Sequence, residues 1–262
     1  MSRPAAGSGE QAALRLSWEE HGGTQSARWR SESGLPPPSR VVVADDRLTA
    51  DAAYRLACEG TAMLWRGDYH NARQLLQAMA RRIARGPRRV KSASNVGRSP
   101  AESFHLHRQA QAQRARTLGM LLIPFDADFG IPLRRAPDAR AACAEVWESD
   151  GQPCVASLRE LLGLIGAHQW RRKGVEVPAL GGRIHPWYGV FSPVRGEYVD
   201  LVAAAPLPSE VLAFDIGTGT GVLAAMLARR GVARVVATDQ DERALACARA
   251  NLTQLGLLDG VE

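Results

Sequence analysis

Cysteine is scarce in this chain and poorly placed for chemistry. The four residues Cys58, Cys143, Cys154 and Cys247 are scattered over 262 positions, with no Cys-x-x-Cys pair. That spacing argues against a disulfide framework or a zinc ribbon and points to reduced thiols in a cytosolic compartment. Long apolar runs are also missing, so no stretch is fit to span a bilayer. The first residues lack the charged start and apolar stretch of a secretory signal, and Glu10, Glu19 and Glu20 are out of place in an acid-poor transit peptide. Large aromatics are few, at 6% of residues. Acidic charge falls short of basic charge, 27 residues against 33, for a formal net charge of +6. Such a balance permits a nucleic-acid partner without requiring one. The hydrophobic fraction of 45% and charged fraction of 23% are those of a globular chain. Its length allows one large domain or two small ones.

What is present centres on Val211-Leu-Ala-Phe-Asp-Ile-Gly-Thr-Gly-Thr-Gly221 and the apolar run behind it. Residues 211–216 are short and mostly apolar, the pattern of a strand buried on both faces of a parallel sheet. Gly217, Gly219 and Gly221 follow at alternate positions, where a sharp turn needs positive φ or a ligand must approach the backbone. From Val222 onward Leu223, Met226 and Leu227 recur at helical spacing until Gly231.

Taken from its start, the chain opens with residues 1–44, a mixture of Gly, Ser, Pro, Arg and Glu read as a disordered leader. Its Arg28-Trp29-Arg30 triplet is either an RNA-touching element or part of a solvated tail. From Thr49 two consecutive amphipathic helices are expected, about 50–65 with Met63 and Leu64 on its apolar stripe, and a second with Ala72, Leu75, Leu76, Met79 and Ile83. The second ends in Arg81, Arg82, Arg85, Arg88, Arg89 and Lys91, which reads as a solvated basic face or as a phosphate-contacting patch for RNA. Ser99-Pro100-Ala101-Glu102 carries the signs of a helix start: a capping serine, a proline in the first turn and a carboxylate three residues on. His105 and His107 in that helix point to different sides and make no metal pair. Residues 120–125 read as an edge strand because of Pro124, and helices are expected over 137–148 and 155–171. The whole of 45–172 is thus expected to be a mainly helical substrate-recognition domain. Beyond it, an aromatic stretch with His185, Trp187, Tyr188, Phe191 and Arg195 reads equally as a substrate-facing or cofactor-covering segment or as a β-hairpin packing its aromatics on the neighbouring domain, ahead of a helix near 197–204.

Asp239 closes a second apolar run some twenty residues after the glycine turn. In a βαβ unit the second strand lies beside the first, which brings this carboxylate level with the glycine loop, where it can accept hydrogen bonds from a ribose diol. The dinucleotide fingerprint Gly-x-Gly-x-x-Gly would need glycine at 222, where the chain has valine; the third glycine falls one residue early.

Phe214-Asp-Ile-Gly-Thr-Gly-Thr-Gly221, followed by Ala237-Thr-Asp-Gln-Asp-Glu-Arg-Ala-Leu245 and Ala248-Arg-Ala-Asn251, resembles the class I S-adenosylmethionine-dependent methyltransferases. Within them it is most similar to the small-methyltransferase-domain branch, which includes release-factor glutamine and ribosomal RNA guanine methyltransferases. The resemblance implies a Rossmann-like α/β sheet over 173–262 and S-adenosylmethionine as cofactor. Gly217, Gly219 and Gly221 would pass under its methionine part, Asp215 would help hold its amino group, and Asp239 would grip its ribose. Methyl transfer to a nitrogen of a protein side chain or RNA base is the implied reaction, and a non-catalytic partner- or RNA-binding module is the alternative. The branch places an Asn-Pro-Pro-aromatic motif after its fourth strand; no Asn-Pro-Pro occurs in these 262 residues. The catalytic residues are therefore unassigned, a C-terminally truncated enzyme is expected, and residues 211–216 should be left with an unpaired apolar edge.

Overall fold

The computed structural model describes residues 14–85, 99–192 and 196–262. The chain divides into two compact units, Met1–Leu162 and Gly163–Glu262. The division falls inside a helix, ten residues before the boundary expected from sequence.

The first unit is built on a sheet, not on a helical hairpin. In chain order its elements are β1 (Arg15–Glu20), β2 (Gly23–Trp29), β3 (Arg40–Ala44), α1 (Ala50–Cys58), β4 (Thr61–Trp65), α2 (Tyr69–Arg85), α3 (Pro100–Gly119), β5 (Leu121–Phe125), α4 (Arg140–Ala144), β6 (Cys154–Ser157) and the start of α5 (Leu158–Lys173). Among the described residues the six strands form one mixed sheet in the order β1-β2-β6-β5-β4-β3. The two end strands, β1 and β3, come into contact, so the sheet curls toward closure. Leu16, Ala27, Trp29, Ala62, Leu64, Leu122 and Val155 cluster into a core with Trp18 and Val41 against it.

This unit departs from the sequence expectation at several points. The part of the leader from residue 14 onward is structured, because Leu16 and Trp18 alternate with Arg15, Ser17 and Glu19 at the period of a strand. His21 and Gly22 then turn the chain with φ of 54° and 78°, the positive values a two-residue hairpin turn demands. The Arg28-Trp29-Arg30 triplet is absorbed into the fold: Trp29 is buried and its indole donates to the Leu35 carbonyl at 2.7 Å. Arg28 pairs with Asp150 and Arg30 donates to the Glu148 carbonyl. The helix expected over 50–65 stops at Cys58, where Gly60 adopts a φ of 77°, and Thr61–Trp65 becomes a strand buried at every position. A short apolar run carries no periodic sign to separate the two. Pro124 lies in a central strand rather than an edge. The ladder from β4 ends at Leu122, so position 124 is not called on to donate toward that neighbour. The helix expected at 137–148 shrinks to α4, and the one at 155–171 begins only after the four-residue strand β6.

Helix α3 starts as read, with Ser99 and Glu102 exchanging capping hydrogen bonds. The basic run of α2 places Arg81, Arg82 and Arg85 on its exposed end, whereas Arg88, Arg89 and Lys91 lie outside the described residues.

The second unit continues α5 into β7 (Val175–Val177), a single 3-10 turn (Pro178–Leu180) and β8 (Gly182–Ile184), followed by α6 (Glu197–Ala204), β9 (Leu212–Ile216), α7 (Val222–Arg229), β10 (Arg234–Thr238) and α8 (Glu242–Gln254). β7 and β8 form an antiparallel hairpin, while β9 and β10 pair in parallel. Val261 bridges Val235 in parallel on the far side of β10. Among the described residues nothing pairs with the other edge of β9. Nor is β9 buried on both faces as expected: α7 packs on the side of Asp215, while Leu212, Phe214 and Ile216 are 39%, 61% and 76% exposed. The core of this unit instead gathers Val177, Leu180, Ile184, Val199, Val222, Met226 and Leu252.

Candidate cofactor site

The loop between β9 and α7 is held by four separate devices, each traceable to a residue type. All three alternate glycines have positive φ: 80° at Gly217, 54° at Gly219 and 80° at Gly221. At Gly221 a methyl group would come within 3.0 Å of the Ala248 side chain, so glycine here also permits α7 to start against α8. Open space lies above Gly217 within 4 Å of where a side chain would begin. The amides of Gly217 and Thr218 both donate to the Thr238 carbonyl, at 2.8 and 2.9 Å, which ties the loop to the end of β10.

Asp215 is buried at 7% exposure. One of its oxygens, Oδ2, accepts from the Thr218 hydroxyl at 2.8 Å and from the Ala224 amide at 3.0 Å. The second acceptance satisfies one of the free amides in the first turn of α7. Its other oxygen has no donor among the described residues. Tyr198 of α6 lies near enough that the Asp215 charge, after burial itself, pushes its phenol above the ordinary tyrosine range.

Asp239 stands just beyond β10 and takes hydrogen bonds at both oxygens. Oδ1 accepts from the Asp241 amide at 3.1 Å, and Oδ2 from the Gly219 amide at 3.0 Å. These backbone donors, that of Asp241 foremost, hold its carboxyl below the usual range and therefore ionised. An ionised carboxylate has about four lone-pair sites, so acceptor capacity remains for a ligand hydroxyl. The sequence brought Asp239 level with the loop; the structure adds a direct bond between them.

Asn251 on α8 is the piece whose role the sequence did not disclose. It is buried, its amide donates to the Thr220 carbonyl at 3.0 Å, and its side-chain carbonyl accepts from the His185 amide at 2.8 Å. One side chain thus joins the glycine loop to the segment that follows β8. That segment is fixed again by the His185 ring, 2.5 Å from the Arg171 carbonyl, and by Trp187, which lies under the Arg171 guanidinium at 4.5 Å. It delivers Phe191 to the loop: a methyl group on Gly219 would meet the Phe191 carbonyl at 3.4 Å. Of the two readings of the aromatic stretch, only β7 and β8 make a hairpin, and residues 185–191 form a strap beside the loop. Arg195 lies outside the described residues. Thr218 and Tyr198 were also missed by sequence reasoning. The signal for Thr218 was its spacing three residues after a buried aspartate.

The site thus combines a glycine turn with open space over Gly217, a buried carboxylate with one oxygen free of donors among the described residues, and an ionised carboxylate at the neighbouring strand end. These residues fit a cofactor carrying an ammonium group and a ribose diol, and the turn has no helix-start glycine at 222 for a pyrophosphate. A family described as "Methyltransferase domain" matches residues 213–262. The chain is 40% identical over 62 residues to the tRNA1(Val) (adenine(37)-N6)-methyltransferases of two Shewanella strains, MR-4 and MR-7, a stretch covering 24% of this chain and 26% of theirs. It is 48% identical over 48 residues to the ribosomal protein L11 methyltransferase of Desulforamulus reducens, covering 18% of this chain and 16% of that one. The chain therefore spans about a quarter or less of the length of these curated relatives. Over residues 213–262 the chain is thus similar to a methyltransferase domain, and the glycine loop and acidic strand end lie within that stretch.

Proposed function

We propose that residues 213–262 bind S-adenosylmethionine and that the protein transfers its methyl group to a nitrogen of an RNA base or a protein side chain. The observation that carries this reading is the hydrogen bond from the Gly219 amide to Asp239, which couples the glycine turn and the acidic strand end into one site. The cofactor supplies a sulfonium-activated methyl group. The chain's own residues do the holding: Asp239 takes the ribose hydroxyls, the free oxygen of Asp215 takes the ammonium, and Gly217 lets the methionine part lie on the backbone. Asn251 keeps the turn and the 185–191 strap in register. In such a displacement the protein contributes mainly orientation and exclusion of water. The names of the relatives, a tRNA and a ribosomal protein methyltransferase, keep both acceptor classes in play.

Incubating the full chain with methyl-labelled S-adenosylmethionine and, separately, bulk tRNA, ribosomal RNA and ribosomal protein tests the proposal. Label in one acceptor, lost on Asp239→Ala, is the expected result. Tight cofactor binding with no transfer to any of them would favour a binding module over an enzyme. Because Asp239 is held ionised, cofactor affinity should stay level down to pH ~5 and fall only as the solution approaches its lowered pKa.

A further inference from the structure

Helix α3 is exposed over its first fourteen residues, positions 100–113, and only its last turns are anchored, by buried Thr117 and Leu118. At 1.5 Å per residue this is about 20 Å of helix with no apolar face to a core. A helix polar on all sides needs another reason to persist. The exposed stretch is not featureless: Phe104 is 58% and Leu106 45% exposed, with His105 and His107 beside them and Arg108 over the Phe104 ring at 5.8 Å. Arg114 and Arg116 follow on the same helix. Its lone carboxylate, Glu102, is consumed in the capping box.

Charge is concentrated here. α2, which packs against α3, carries Arg73, Arg81, Arg82 and Arg85 and no acidic residue. Four arginines on one helix and three on the other face a single glutamate, an excess of six, which equals the whole formal net charge of +6. The rest of the chain is balanced. Of the four on α2, Arg82 is engaged by Asp51.

We infer that the projecting half of α3, with the arginines of α2 behind it, is a docking arm for a single-stranded polynucleotide. Arginines unopposed by carboxylates match a phosphate backbone. Exposed aromatic and imidazole rings between them offer unpaired bases a surface to stack on, which duplexes do not need. The proposal concerns the first unit and does not depend on methyl transfer or on the cofactor site.

The test is fluorescence anisotropy of the full chain with a labelled unstructured RNA 20-mer, the DNA of the same sequence and the RNA duplex, from low to moderate salt. The single strands should bind more tightly than the duplex, with affinity falling steeply as salt rises. Replacing Arg108, Arg114 and Arg116 by Gln should weaken binding at least tenfold and reduce the salt slope by about two to three. Phe104→Ala should weaken it several-fold at unchanged slope. A charge-matched control, Arg47→Gln with Arg183→Gln and Arg234→Gln, should bind as the parent does. Far-UV circular dichroism keeps folding separate from binding. The inference is overturned by absence of binding at low salt, by equal loss in the control, by preference for the duplex, or by polyglutamate binding as tightly as RNA.

Discussion

Strands β4 and β9 are alike in length and apolar character and end up in opposite surroundings. Thr61–Trp65 and Leu212–Ile216 are five-residue apolar runs, each followed within two residues by a glycine. Yet every residue of β4 is buried, whereas only Asp215 of β9 is. The difference lies in the neighbours. β4 has a strand on each edge and helix α1 packed on it, while β9 has one strand and one helix. An apolar run thus specifies a strand's capacity for burial, and the number of elements around it decides how much of that capacity is used.

The same truncation in the two strands should separate them most widely. Leu64→Ala should cost about 2–5 kcal/mol in urea unfolding, because the site is fully enclosed. Ile216→Ala should stay within ~0.5 kcal/mol. Comparable losses would mean that the β9 face is covered in solution. Gly221→Ala should come next, at about 1–3 kcal/mol, since alanine would have to hold a φ of 80° and crowd Ala248. A milder loss would show that α7 and α8 can part without harm. Asn251→Ala leaves the Thr220 carbonyl and His185 amide without their partner, and about 1–3 kcal/mol is expected, with faster amide exchange at His185. The smallest effect should be optical: Phe214→Ser with Ile216→Thr should reduce binding of a hydrophobic dye while leaving the unfolding midpoint nearly unchanged.

How much of this was legible beforehand divides along the same line. The glycine loop, Asp239, α6 and α7 were readable because their chemistry is local: positive φ wants glycine, an amphipathic helix wants a periodic stripe, and a strand end wants a carboxylate at a fixed distance. Asn251 was visible as part of a resemblance, but its clamp on His185 joins residues 66 apart and left no local trace. The first unit was misread for the converse reason. Its strands are short, its hairpin shows a polar outer face, and Pro124 sits where only the finished sheet reveals that its missing donor costs nothing. Long-range pairing such as β2 with β6, more than a hundred residues apart, cannot be inferred from periodicity.

The glycine loop therefore remains the feature on which the functional account rests. Isothermal titration of S-adenosylmethionine into the full chain tests it most directly. Saturable one-site binding in the micromolar range is expected, abolished by Asp239→Ala while the fold stays intact by circular dichroism. A folded chain that takes up no cofactor, or one in which Asp239→Ala binds as the parent does, would contradict it.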